Sequence, residues 1–169
     1  ELGSRLSVDP AMVLPCSTGV IGVQLDRTPF SRAISLAVDG LSRKGFGAAA
    51  RAIMTSDEFP KWAHRVVETG EGSATVAAMA KGAGMIHPNM ATMLAVVTTD
   101  ARLGGKAARS VLAAAVAHSF NRISVDADTS TNDTVILMAS GAAAGKPING
   151  PAAEGYGPVA AAVTEVLDE

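Results

Sequence analysis

Six consecutive residues, Leu94-Ala95-Val96-Val97-Thr98-Thr99, are apolar or β-branched throughout, and a long alanine-rich run starts soon after them at Gly105. The first run reads as a buried strand. The second, from Gly105 to Phe120, sets Leu112, Val116 and Phe120 four apart, the spacing of one helical face. A buried strand that leads directly into a helix points to a mixed α and β architecture. The amino-acid usage supports close packing in it. Alanine occurs 32 times and glycine 17 times, whereas aromatic residues make up only 4%, so elements can approach closely and glycines can let backbone lie against a ligand.

Other elements follow from periodicity and punctuation. Ser73 to Lys81 alternates loosely and predicts a strand that delivers Lys81 to its end. Thr28-Pro29 followed by Ser31 to Lys44 predicts a capped helix with Ile34, Val38 and Leu41 on one face, ended by Gly45-Phe46-Gly47. Ala49 to Met54 is short and apolar and suits either a strand or a helix end. Arg122 to Val125 and Thr134 to Met138 read as two strands flanking a polar turn, and Gly157-Pro158 opens a last helix with proline in its first turn. No internal repeat is present, and the one loose Gly/Pro/Ala stretch spans 141–158.

Several function classes are excluded. The chain has 169 residues, enough for about one domain with a real core. At 48% hydrophobic and 18% charged residues it is not a disordered chain. Fourteen basic residues against 16 acidic ones, with no basic run, argue against nucleic acid as a partner. No apolar stretch approaches the roughly 18–20 residues that span a bilayer, so no membrane association is expected. The single cysteine, Cys16, cannot form an internal disulfide and suits a reducing compartment. The start at Glu1 shows no basic n-region or apolar h-region, so no signal peptide is expected there.

Three motif-like segments fail on inspection. Gly82-Ala83-Gly84 opens like a dinucleotide fingerprint, but His87 stands where the third glycine belongs. Asp126-Ala127-Asp128-Thr129-Ser130 opens like a calcium loop, but Thr131 replaces the turn glycine and Leu137 the bidentate glutamate. His64, His87 and His118 lack metal-ligand spacing, so no metal site is expected. Nothing near Cys16 activates it as a nucleophile.

The informative stretch is Lys81-Gly82-Ala83-Gly84-Met85-Ile86-His87-Pro88-Asn89-Met90-Ala91-Thr92-Met93-Leu94. It combines a strand end, a glycine turn, a proline-fixed loop and a threonine just before the apolar strand. Such a threonine has two readings. It can be an ordinary strand former, or its hydroxyl can attack the carbonyl of Ala91 and cut the chain there. The cut would free the α-amine of Thr92, whose ordinary pKa of roughly 7.7–8.0 suits it as general base for its own hydroxyl. Spacing alone leaves both readings open. So it does for Thr18-Gly19, an ordinary turn or a pair of hydrogen-bond donors, and for Lys81, a solvated strand-end lysine or a carboxylate ligand.

The wording of this stretch closely resembles the self-cleaving junction of the ornithine acetyltransferase (glutamate N-acetyltransferase) family of arginine biosynthesis. Three further segments resemble that family in the expected order: Cys16-Ser17-Thr18-Gly19-Val20-Ile21-Gly22, Ala52-Ile53-Met54-Thr55-Ser56-Asp57, and Ser119 to Asp126 running on through Thr129-Ser130-Thr131-Asn132-Asp133-Thr134. The resemblance implies an α/β fold of two stacked sheets between helical layers, incomplete here at both ends. It implies cleavage between Ala91 and Thr92, with residues 1–91 forming the end of a first chain and residues 92–169 the start of a second. Thr92 would then be the catalytic nucleophile, Thr18 and Gly19 the oxyanion hole, and Thr55, Lys81 and Thr92 the substrate-binding residues. The implied reaction moves the acetyl group of N-acetylornithine to glutamate through an acetyl-Thr92 intermediate. No cofactor is implied, although acetyl-CoA serves some relatives as acetyl donor. The cleaved chains would associate into a heterotetramer in the cytoplasm.

Two departures stand out. Ala127 occupies a position where the family usually has glycine, at a local cost if positive φ is needed there. The resemblance also begins inside the first half of the family pattern and stops near Asp168-Glu169. Three substrate-site residues of the family, a glutamate in a Gly-Glu-Gly-Ala-Thr context and a later asparagine and threonine, fall beyond it. The chain therefore reads as an internal piece spanning the junction. Two rival readings remain open: an N-terminal-nucleophile aminopeptidase or amidase of similar architecture, and an inactive piece that is never cut.

Overall fold

A computed structural model of the chain describes residues 1–20, 22–87 and 93–169. Four strands, β1 (Lys61–Glu68), β2 (Ser73–Lys81), β3 (Leu94–Thr99) and β4 (Thr134–Ala139), form one sheet in the order β1-β2-β3-β4. The pairs β1–β2 and β2–β3 are antiparallel, and β3–β4 is parallel. A parallel pair needs a crossover, which an alanine-rich helix (Gly105–His118) supplies. Before the sheet come three helices, α1 (Leu2–Leu6), α2 (Thr28–Asp39) and α3 (Phe46–Ala52), so the crossover helix is α4; the chain ends in α5 (Tyr156–Asp168).

Register sorts the side chains onto two faces. Ala63 lies opposite Ala78, Ala78 opposite Val97, and Val97 opposite Leu137. That row faces α4 and α5, and with Val76, Val111, Val159 and Val163 it forms the core. Small side chains make the layer thin: Ala74 and Ala78 on the sheet, Ala115 on α4 and Ala162 on α5 are all buried. Arg65 of β1 reaches out over the edge to Glu165 of α5 and to Glu169 just after it, at 3.1 and 2.7 Å. The opposite row, Trp62, Met79, Val96 and Ile136, faces away from both helices. There Trp62 and Val66 are exposed, and α3 touches this face where Phe46 meets Trp62 edge-on at 6.3 Å.

The strands expected at 73–81 and 94–99, the β4 strand and the last helix stand where the sequence puts them. Three readings need correction, and one strand was missed. The segment 122–125 is not a strand: Phe120–Arg122 forms one 3-10 turn, and Val125 N–H makes a single bond to the Ile86 carbonyl. The helix beginning at Thr28-Pro29 stops at Gly40, so Leu41 lies outside it. Gly45-Phe46-Gly47 starts a helix instead of ending one, which settles 49–54 as mostly helical. The edge strand β1 was not anticipated at all. The four strands make one sheet among the described residues.

Ala127 does adopt positive φ, +64°. The expected local cost therefore applies, since the left-handed region brings a Cβ against backbone.

Candidate active site

Lys81 ends β2, the strand whose alternation brings it to the sheet's margin. Lys81 is 4% exposed, and its Nζ donates to Thr55 Oγ1 at 2.7 Å. Among the described residues no carboxylate pairs with it. A buried ammonium held by one hydroxyl is costly unless an anion completes its shell.

Thr55 sits in the loop after α3, and a carboxylate fixes that loop. Asp57 Oδ2 accepts from Thr55 N–H at 3.2 Å, while Oδ1 accepts from Gly82 N–H at 2.7 Å and from Lys61 Nζ at 2.6 Å. Asp57 thus ties the loop after α3 to the end of β2, on either side of the Lys81–Thr55 contact. Burial alone would raise its carboxyl, but the hydrogen bonds from Lys61, Gly82 and Thr55, with the Lys61 charge, outweigh that and hold it at about 2. Nothing in the spacing of Thr55-Ser56-Asp57 marks this role, because the partners converge from separate elements. The motif itself was the available signal.

A cavity of about 610 Å³ opens beside this cluster. Lys61, Lys81, Ile86 and Met93 line it, with Phe59 and Phe120 as apolar walls. It therefore spans from the buried lysine to the first described residue after the predicted nucleophile. Ala91 and Thr92 themselves lie outside the described residues. Thr18 and Gly19 line a separate depression with Thr131 and Asn132, and Asn132 Nδ2 donates to the Ser17 carbonyl at 3.2 Å.

The short polar side chains of the turn after α4 are of the kind that satisfy local backbone groups. They do so in part: Asn132 N–H donates to Ser130 Oγ at 3.2 Å and Thr134 Oγ1 to the Asn132 carbonyl at 3.1 Å. The turn's two end carboxylates also bond far away in sequence. Asp126 accepts from Met85 and Ile86 N–H, and Asp133 from Met93 N–H at 2.8 Å. The Met85 and Ile86 bonds hold the Asp126 carboxyl below its ordinary range, whereas burial pushes Asp133 up against the Met93 bond. Among the described residues no group of three or more His, Cys, Asp or Glu side chains is arranged to hold a metal ion.

A buried cation beside a hydroxyl, a cavity reaching the start of a central strand, and a turn strapping that strand's approach come together at one margin of a mixed α/β sheet. Comparison with known proteins places it further. The model of the ArgJ family matches residues 1–169, and the chain belongs to that family. Relatives named "Arginine biosynthesis bifunctional protein ArgJ" include that of Symbiobacterium thermophilum, 49% identical over 96% of this chain and 40% of the relative. That of Methylococcus capsulatus is 56% identical over 76% of this chain and 31% of the relative. In Heterostelium pallidum the relative bears the same name with the word "mitochondrial", at 44% identity over 98% of this chain and 38% of its own length. The chain thus spans two fifths or less of the length of these three curated relatives.

Proposed function

We propose that this chain is the central part of an enzyme that moves the acetyl group of N-acetylornithine to glutamate. The observation that carries the reading is the buried Lys81, bonded to Thr55 and lacking a carboxylate partner among the described residues, at a cavity that also takes Met93. An acetylated amino acid offers the carboxylate that such a lysine lacks, as a charge-assisted bond. Membership in a family whose relatives are named for arginine biosynthesis agrees with this chemistry.

In this reading Thr92 acts twice. First its Oγ attacks the carbonyl carbon of Ala91. The C–N bond breaks as the hydroxyl proton passes to nitrogen, and water then splits the resulting ester. Residues 1–91 and 92–169 thereby part into two chains, the second beginning with a free amine. That amine then takes the Oγ proton as Thr92 accepts the acetyl group, ornithine leaves, and the amine of glutamate removes the acetyl. Thr18 and Gly19 serve as oxyanion donors, and Thr55 and Lys81 hold the substrate. Acetyl-CoA is the alternative acetyl donor, and no metal takes part.

The exposed sheet face that carries Trp62 and Val66 supports a second sheet stacked on it in the longer protein, as the family resemblance implies. The two chains remain associated as a heterotetramer. No helix among the described residues is long and apolar enough to cross a membrane, and an exposed free Cys16 suits the cytoplasm.

The test is an intact-mass spectrum of the full-length protein beside Thr92→Ala, followed by an assay of acetylornithine consumption with and without glutamate. Two fragments meeting at 91 and 92, absent in the variant, with glutamate-dependent transfer, is the expected result. Glutamate-independent hydrolysis would favour an amidase instead, and an uncut mass in both proteins would remove the claim of a self-activated nucleophile.

A further inference from the structure

Cutting a peptide bond from within requires its carbonyl to be held in line with the attacking hydroxyl, and a misplacement of an ångström costs about 100-fold. The described residues on both sides of the 88–92 stretch are held by one and the same turn. Upstream, Ile86 is tied at both its backbone groups: its N–H donates to Asp126 at 2.9 Å, and its carbonyl accepts from Val125 N–H at 2.7 Å. Met85, whose N–H also donates to Asp126, has a φ of +57°, a conformation that a side chain rarely adopts unless its surroundings impose it. Downstream, Met93 is tied in the same way: its N–H donates to Asp133 Oδ1 at 2.8 Å, and its carbonyl accepts from Thr134 N–H at 3.1 Å.

The two carboxylates are therefore spent on partners some forty residues away. Within the turn, Asp126 makes just one long bond, 3.4 Å, from Asp128 N–H. The other oxygen of Asp133 is buried with no hydrogen-bond partner among the described residues. A turn that needed only to stabilise itself would not require carboxylates at these two places.

We propose that Asp126 and Asp133 are positioning residues for the 91–92 scission, each fixing the backbone on one side of the bond that Thr92 cuts. This rests on the self-cleavage reading above and adds to it two residues that neither touch substrate nor attack the chain.

The experiment measures the first-order rate at which freshly translated full-length protein is converted to two chains. Asp133→Ala, Asp126→Ala, Asp133→Asn and Thr92→Ala are followed by denaturing gel and intact mass, below each variant's Tm. Asp133→Ala is expected to slow scission ~10-fold or more, and Asp126→Ala, which still leaves the Val125 bond, ~3-fold or more. Asp133→Asn keeps an oxygen that accepts from Met93 N–H, so its rate stays within ~3-fold of the natural protein. A purely structural role would lower Tm without slowing scission in the folded variants.

A folded Asp133→Ala that is cut at the natural rate while Thr92→Ala stays whole overturns the positioning role and leaves the proposed function standing. Should Asp133→Ala not fold, the same result in Asp126→Ala, at the exposed end of the turn, overturns it equally. Scission that persists in Thr92→Ala overturns the underlying reading instead.

Discussion

Helices α2 and α5 are nearly the same length, twelve and thirteen residues, and each carries an apolar face, yet they fare differently. α5 buries Val159, Ala162, Val163, Val166 and Leu167 against the sheet and α4. α2 buries none of its residues, and Phe30 and Leu36 stand exposed. Amphipathic patterning creates a face; burial needs a second surface to receive it. Residues 61–169 contain both surfaces, while the segment before β1 holds one of a pair. Because the chain spans two fifths or less of the three relatives named above, the receiving surface for α2 is expected in the remainder of the longer protein.

The sharpest way to break this contrast is to place a charge in each helix. Val163→Asp, at a position with no exposure, should cost about 4 kcal/mol or more, because the carboxylate is buried without a partner. Urea unfolding of the 169-residue chain measures it, and a loss below about 1 kcal/mol would show that α5 is not part of the core.

One link between the two regions is Asp57, and acid should dissolve it. Its carboxyl lies at about 2 in the fold against an ordinary 3.8, so the folded state favours the ionised form. The resulting stability, about 2 kcal/mol, is fully present above pH 3.8 and lost as pH falls through about 2. Asp57→Asn should remove that acid-dependent component, seen as a flatter stability profile between those limits. An unchanged profile would show that the Lys61, Gly82 and Thr55 bonds do not hold in solution.

Ala127 offers a smaller gain. Replacing it with glycine at φ +64° should stabilise the chain by about 1 kcal/mol, read as a higher Tm. The smallest effect belongs to α2. Leu36→Asp, at a position 62% exposed, should change the stability of the 169-residue chain by no more than about 0.5 kcal/mol. The same substitution in the full-length protein should cost about 2 kcal/mol, if that side chain is covered there.

What could be read in advance followed local pattern and not that division, since α2 was legible although it buries nothing. β2, β3 and α4 were legible because they leave a period in the sequence. β1 was not, because Lys61-Trp62-Ala63-His64-Arg65 belongs to an edge strand with polar or aromatic residues on its exposed side. The stretch 122–125 has strand composition but lies beside no partner strand, and composition cannot supply one. In the site, Lys81 was found through the strand that ends on it. Asp57 was missed because its role comes from three backbone and side-chain donors that meet only in space, and the two turn carboxylates left no signal because their partners are some forty residues distant.

The antiparallel ladder between β2 and β3 has a consequence for the mature molecule. Its six paired positions run from Val76 opposite Thr99 to Lys81 opposite Leu94. The proposed cut falls between these strands, so the ladder would become the seam between two polypeptides at the middle of one sheet. Such subunits could not exchange partners on dilution, since parting them means tearing the sheet. Halves synthesised separately would have to fold together to fold at all, and a defect in either would be inherited by both.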